Sequence, residues 1–389
     1  MSYTLTNTTL AAQMPAPIPN STTTTTTATT TALPTLEQSE TSAIYVFDCL
    51  ATQDHSALVT SLSNREICTW DPSTLSPTSR FEAHGNRITD IQPGMTQPYL
   101  LASSCADGTA TLWDLRTSSS VLSLPQRPKG VHSTALGCGD TLMVTSTTDG
   151  VHFYDIRGGG KLLGEYKDSH SDDVLCVRFH PTKPTILITG GADGLACVFD
   201  VAVNSEDEAL ITVCNAQSDI VKVKVLDGND LLCCQTTVET LCLYRISDGQ
   251  CVSDMSNFRQ AVGQTCGYQP DYIVDTYCDV ANNQVHALVG TFGGDLLDVA
   301  LNGDGSMNAH ARLSGGHYRP VRCALWGVGS GIGNGVVVTG GEDTRLCMWT
   351  YSMGGGGGSG SGGGGRSSSS GKVKTHSKRA KKRNVEAPY

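Results

Sequence analysis

The chain has 389 residues, 39% of them hydrophobic, with 27 basic against 37 acidic side chains and a formal charge of −10. That acidic balance argues against a body built to wrap nucleic acid, and no stretch reaches the roughly 18 uninterrupted apolar residues of a membrane helix. Fifteen cysteines, odd in number and without a CxxC pair, argue against a disulfide or zinc framework and for reduced, buried thiols in a cytosolic or nuclear compartment.

Residues 1–32 are Thr-rich, with an unbroken run from Thr22 to Thr27. Such a segment buries too little apolar surface to offset the entropy of ordering, and disorder is expected. No Lys or Arg precedes Arg65, so the segment lacks the charged start of a secretory signal and the arginines of a mitochondrial presequence. A soluble, intracellular protein is expected.

From there the chain repeats. The run ending in Trp113-Asp114 recurs in degraded form, placing Trp70, Trp113, Tyr154, Phe199, Tyr244, Asp298 and Trp349 at equivalent positions with spacings of 43, 41, 45, 45, 54 and 51 residues. The first four intervals fit a four-stranded propeller blade and the last two imply insertions. The seven anchors predict an all-β, seven-bladed propeller over residues 33–352 with disordered termini. Asp107-Gly108, Asp149-Gly150 and Asp193-Gly194 supply the positive φ of tight turns, whereas Asp343 is followed by Thr344, which predicts a different turn. The last strand runs into glycine after Tyr351, leaving its blade one strand short. The segment around Leu33–Leu36 is expected to complete it and tie the ring shut.

Within the repeat, His84, Ser103, Asp107 and Trp113 recur as His317, Thr339, Asp343 and Trp349, and in weaker form as His170, Thr189, Asp193 and Phe199. Ser, His and Asp together can make a catalytic triad, but a catalytic centre appears once per chain and a packing device once per blade. The sets are read as chains of hydrogen bonds from turn carboxylate to imidazole to hydroxyl to indole N–H. Where Tyr154, Tyr244 or Gln217 replaces a member, the network is expected to be incomplete and the blade less rigid. The glycine run from Gly327 to Gly335 does not fit GxGxxG and no GxxxxGK[ST] occurs, so no cofactor or metal is expected. With the blade networks set aside, no unrepeated acid, base, nucleophile or metal cluster is expected, and an enzyme is disfavoured.

These recurring elements resemble the WD-repeat propeller family over about 320 residues. Two Asp-x-Arg anchors in consecutive blades and a short basic C-terminus make the chain most similar to a group of single propellers within it. The resemblance implies a non-enzymatic, monomeric scaffold that binds proteins through its faces, with roles in ribosome assembly or as a ubiquitin-ligase receptor. Trp113-Asp-Leu-Arg116 and Tyr154-Asp-Ile-Arg157 resemble the signature of propellers that dock on the cullin-4 adaptor. That resemblance makes Arg116 and Arg157 the adaptor contacts; the alternative is local pairing within the turn.

Past the repeats, residues 353–371 form a Gly/Ser linker that as a flexible coil spans roughly 23 Å. Residues 372–389 are a basic tail containing Lys378, Arg379, Lys381, Lys382 and Arg383. From Arg366 onward the charge is +7, and the remaining residues carry −17. Nuclear import, contact with RNA or pre-ribosomal proteins, and simple solubilisation stay open for the tail; the lack of stacking aromatics argues against sequence-specific RNA readout. The functions carried forward are a nuclear or nucleolar scaffold in ribosome assembly, with the cytoplasm as alternative site, and a substrate receptor of a cullin-4 ligase.

Overall fold

The computed structural model describes residues 2–4, 27–32, 44–125, 127, 130–226, 230–279, 284–302, 305–327 and 336–352. Seven antiparallel sheets of consecutive strands occupy 46–82, 88–123, 133–166, 174–215, 220–255, 272–313 and 321–352, here blades 1 to 7. The first strand of each blade packs on the first strand of the next, and that of blade 7 (Val321–Trp326) returns to that of blade 1 (Val46–Ala51), which closes the ring. The second strands read as unbroken buried runs because both of their faces meet neighbouring blades, as in Val336–Gly341.

Apolar side chains interlock between blades. Leu58 and Trp70 of blade 1 pack on Val338 and Met348 of blade 7, and Trp113 of blade 2 packs on Val59 and Ile67 of blade 1. Cys233 joins the cluster between blades 5 and 6 and its neighbour Cys234 the cluster between blades 4 and 5, the alternation a strand imposes. Burial pushes the Cys68 and Cys176 thiols up to about 12, so both behave as small hydrophobes.

Three expectations need correction. The closing strand is Thr27–Ala32, paired antiparallel with Arg345–Thr350, and Ser2–Thr4 continues along the same strand at Thr350–Ser352. Leu33–Leu36 lies outside the described residues, and part of the segment expected to be disordered is an edge strand. A β-branched Thr run is suited to that position, because an edge strand needs backbone pairing more than a buried face.

Thr344 also adopts the left-handed conformation, φ 65°, like Gly108 at 91° and Gly194 at 77°. The turn is therefore of the same kind despite the missing glycine. Finally, the anchor of blade 6 is Val299. It lies five residues after the positive-φ Gly294, as Trp113 follows Gly108, and joins the cluster facing blade 5. Asp298 points the opposite way, toward blade 7. The long interval in this region holds the helix Phe258–Cys266 between blades 5 and 6.

Candidate functional site

The blade 7 network is continuous. His317 Nδ1 lies 3.0 and 3.1 Å from the two Asp343 oxygens, its Nε2 2.8 Å from Thr339 Oγ1, and the Trp349 indole N–H donates to the same hydroxyl at 2.8 Å. Burial works against the charged imidazole, but Cys347 and Asp343 outweigh it and lift His317 to about 9. Blade 4 keeps the His170–Asp193 pair at 3.1 Å and His170–Thr189 at 2.7 Å, with Phe199 ending the chain. In blade 2 the expected direct Asp–His contact is replaced: Asp107 accepts from Thr109 Oγ1 at 2.6 Å, and Thr109 meets His84 Nδ1 at 3.0 Å. His84 Nε2 and the Trp113 indole then converge on Ser103 Oγ at 2.6 and 2.7 Å.

The substituted blades are bonded differently. The Tyr244 hydroxyl donates to the Asn215 carbonyl of blade 4 at 2.6 Å and Arg127 donates to the Tyr154 hydroxyl at 2.8 Å, whereas blade 1 keeps the indole-to-hydroxyl bond, Trp70 to Thr60 at 2.9 Å. Each serine or threonine hydroxyl here is locked between buried donors and acceptors, so none is a free nucleophile.

Charged side chains on the innermost strands line the ring's centre, which the motif search did not single out. Arg178 of blade 4 reaches Asp90 of blade 2 through two hydrogen bonds of 2.8 and 3.0 Å and also donates to Ser133 of blade 3 at 2.9 Å. Lys224 and Lys222 of blade 5 lie 2.9 and 3.4 Å from Asp275 of blade 6. Burial opposes the charge on Asp275, yet the two lysines hold its carboxyl below the usual range. Asp48 of blade 1 has no such pairing: burial lifts it to about 6, with Lys222 opposing the rise. The signal was a charge inside otherwise apolar first strands, as in Ile273-Val-Asp275 and Ile220-Val-Lys222. The Arg178–Asp90 pair ties non-adjacent blades 4 and 2 and the lysine pairs tie adjacent blades 5 and 6, which specifies the arrangement more than it adds stability.

Blade 6 carries an unrepeated cluster, contrary to the sequence expectation. Asp298, fully buried, accepts at Oδ1 from the His286 ring at 3.1 Å and at Oδ2 from the His310 ring at 2.8 Å and the Tyr277 hydroxyl at 3.2 Å. Burial opposes ionisation of Asp298, but the two imidazoles hold it below its ordinary value. Tyr277 stacks on His286 and, at 3.6 Å between ring centroids, on Trp326 of blade 7. The misplaced anchor hid this group, since Asp298 was taken for a degenerate aromatic.

The propeller has two unlike faces. Turns between second and third strands, with the inter-blade loops, form one. There Phe292 and Tyr318 are 66% and 55% exposed, Tyr272 backs Phe292 at 5.8 Å, and Arg345 stands 4.7 Å over Tyr318. On the opposite face Arg116 is exposed, pairs with Asp114 at 2.6 Å and stacks 3.7 Å over Tyr99, so the local pairing is present. Arg157 is exposed and lines a groove with Tyr99, Asp140 and Thr141. Asp140 is occupied by the backbone N–H groups of Met95, Thr96 and Gln97 at 2.6, 2.8 and 2.8 Å, which fixes the groove floor. Lys378, Arg379, Lys381, Lys382 and Arg383 lie outside the described residues.

Residues 75–114 and 160–200 match the family described as "WD domain, G-beta repeat". The "WD repeat-containing protein GTS1" of Arabidopsis thaliana is 30% identical over 325 residues, 80% of this chain and 82% of the relative. The "WD repeat-containing protein 89 homolog" of Dictyostelium discoideum is 23% identical over 308 residues, 79% of this chain and 82% of the relative. The human "GATOR2 complex protein WDR24" is 26% identical over 160 residues, 40% of this chain and 20% of that protein. Propellers of this kind are generally non-enzymatic scaffolds for protein interaction. The closed ring of four-stranded blades, the recurring networks and these similarities together show that the chain belongs to the WD-repeat family.

Proposed function

We propose that this propeller is a scaffold that docks partner proteins on the face bearing Phe292 and Tyr318, and that it works in the nucleus or nucleolus during ribosome assembly. The observation that carries the docking reading is that face itself. The blade networks are committed to tying strands, whereas Phe292 and Tyr318 stand exposed, the latter beneath Arg345, and aromatic and arginine side chains are the residue types that anchor interfaces. The +7 charge from Arg366 onward supports the nuclear reading, and the acidic body favours basic proteins over RNA as partners. Changing Phe292 and Tyr318 together to Ala should remove most co-purifying proteins while leaving the melting temperature in place. Unchanged recovery would move the interface elsewhere.

A second reading, docking on the cullin-4 adaptor, is favoured by Arg116 and Arg157 both being exposed on the opposite face. Arg116→Ala with Arg157→Ala should abolish adaptor recovery and preserve the fold. Equal recovery from both proteins would exclude these arginines, and absence of the adaptor from both would exclude the reading.

A further inference from the structure

We infer that His286, Asp298 and His310 form a binding site for a divalent transition-metal ion of the zinc class, pinning together the three outer strands of blade 6. The three side chains come from successive strands, Gln284–Gly290, Leu296–Leu301 and Met307–Leu313. One donor atom from each lies within 4.8 Å of the others. A tetrahedral zinc site with ligands at about 2.0–2.2 Å sets neighbouring donors roughly 3.3–3.5 Å apart. The His286 ring lies 3.1 Å from one Asp298 oxygen and the His310 ring 2.8 Å from the other, so both imidazoles already face the carboxylate and side-chain shifts of about half an ångström, with the carboxylate turned toward the ion, reach that spacing.

The chemistry of the set is specific. Two imidazoles and a carboxylate supply two nitrogens and an oxygen, the donors that suit zinc and its neighbours and not calcium or magnesium. Tyr277, whose hydroxyl bonds the same carboxylate at 3.2 Å, orients Asp298 from the blade 7 side. The His310 side chain is 25% exposed and gives an entry path.

Position supports the same reading. Blade 6 has Val289 and Val299 where blade 7 has Thr339 and Trp349, so it lacks the hydroxyl and indole that cross-link the other strands. Its only comparable cross-strand device among the described residues is the His286–Asp298–His310 group. The superficially similar group of His84, Cys105 and Asp107 differs, because both imidazole nitrogens of His84 are engaged by Ser103 and Thr109.

The test is titration of chelator-treated full-length protein with Zn²⁺ and, separately, with Co²⁺. One equivalent of Zn²⁺ should bind and raise the melting temperature, and Co²⁺ should give a visible spectrum of nitrogen and oxygen ligation without thiolate charge transfer. His310→Asn and Asp298→Asn should each weaken Zn²⁺ binding at least about 10-fold. His317→Asn should not. The partly exposed His310 makes the first variant tolerable to the fold, which its metal-free melting temperature checks. Absence of stoichiometric binding by the wild type, a thiolate signature in the Co²⁺ spectrum, or full affinity in both variants would overturn the site.

Discussion

His317 illustrates how a side chain of catalytic type becomes structural. It joins a turn carboxylate to a buried hydroxyl that also receives the Trp349 indole, so removal takes a buried partner from both Asp343 and Thr339. His317→Ala should cost about 1–3 kcal/mol in denaturant unfolding. Asp48 predicts a pH effect of definite sign. Its carboxyl rises from 3.8 to about 6 on folding, so ionisation disfavours the folded state as pH climbs through that window, and the penalty is complete above it. Asp48→Asn should therefore stabilise the protein by about 1–2 kcal/mol at pH 8 and give no gain near pH 4. A gain of equal size at both values would assign the effect to packing. The repeated residues were legible in the sequence because each is one of a series with fixed spacing. Asp48, Asp90, Arg178 and Asp275 were not, since only the closed ring brings blades 1, 2, 4 and 6 to one axis. Asp298 was misread because Leu296-Leu297-Asp298-Val299 offers no aromatic to fix the frame, and a one-residue slip turns a strand side chain to the other face.

At the scale of elements, the blades follow from pattern: buried second strands, positive-φ turns and third strands ending on an anchor. The closing strand was expected from what blade 7 lacked, but its location was not readable. A run of near-identical threonines carries no register, and the apolar Leu33 and Leu36 drew the assignment forward; pairing at Thr27–Ala32 is set by the Arg345–Thr350 edge instead. Deleting residues 1–32 should destabilise the chain by about 3 kcal/mol, taking a net ~0.5 kcal/mol for each lost pairing of the six-residue strand. It should also speed amide hydrogen exchange in Arg345–Thr350 while leaving blade 3 protected. Uniform exchange in both blades after the deletion would contradict closure at this seam. Turns predict similarly: a Cβ at Gly150 would lie 2.2 Å from the Tyr166 carbonyl oxygen, so Gly150→Ala should cost more than about 1 kcal/mol by thermal unfolding.

For the whole molecule, charge divides the chain into an acidic ring and a basic terminal segment. The ring offers two faces of different chemistry, one with exposed aromatics and the other with exposed arginines. Replacing Lys378, Arg379, Lys381, Lys382 and Arg383 by Ala should shift a fluorescent fusion from nucleus to cytoplasm without changing its melting temperature; a variant that stays nuclear would place retention in the propeller. In the proposed function the propeller selects partners and the basic segment delivers it to them. Affinity purification with quantitative mass spectrometry tests this most directly, comparing the intact chain, residues 1–353 directed to the nucleus by an unrelated import signal, and intact chain carrying Phe292→Ala and Tyr318→Ala. The first two should recover the same proteins and the third should lose them. Loss of those proteins from the 1–353 chain, with full recovery by the aromatic variant, would contradict it.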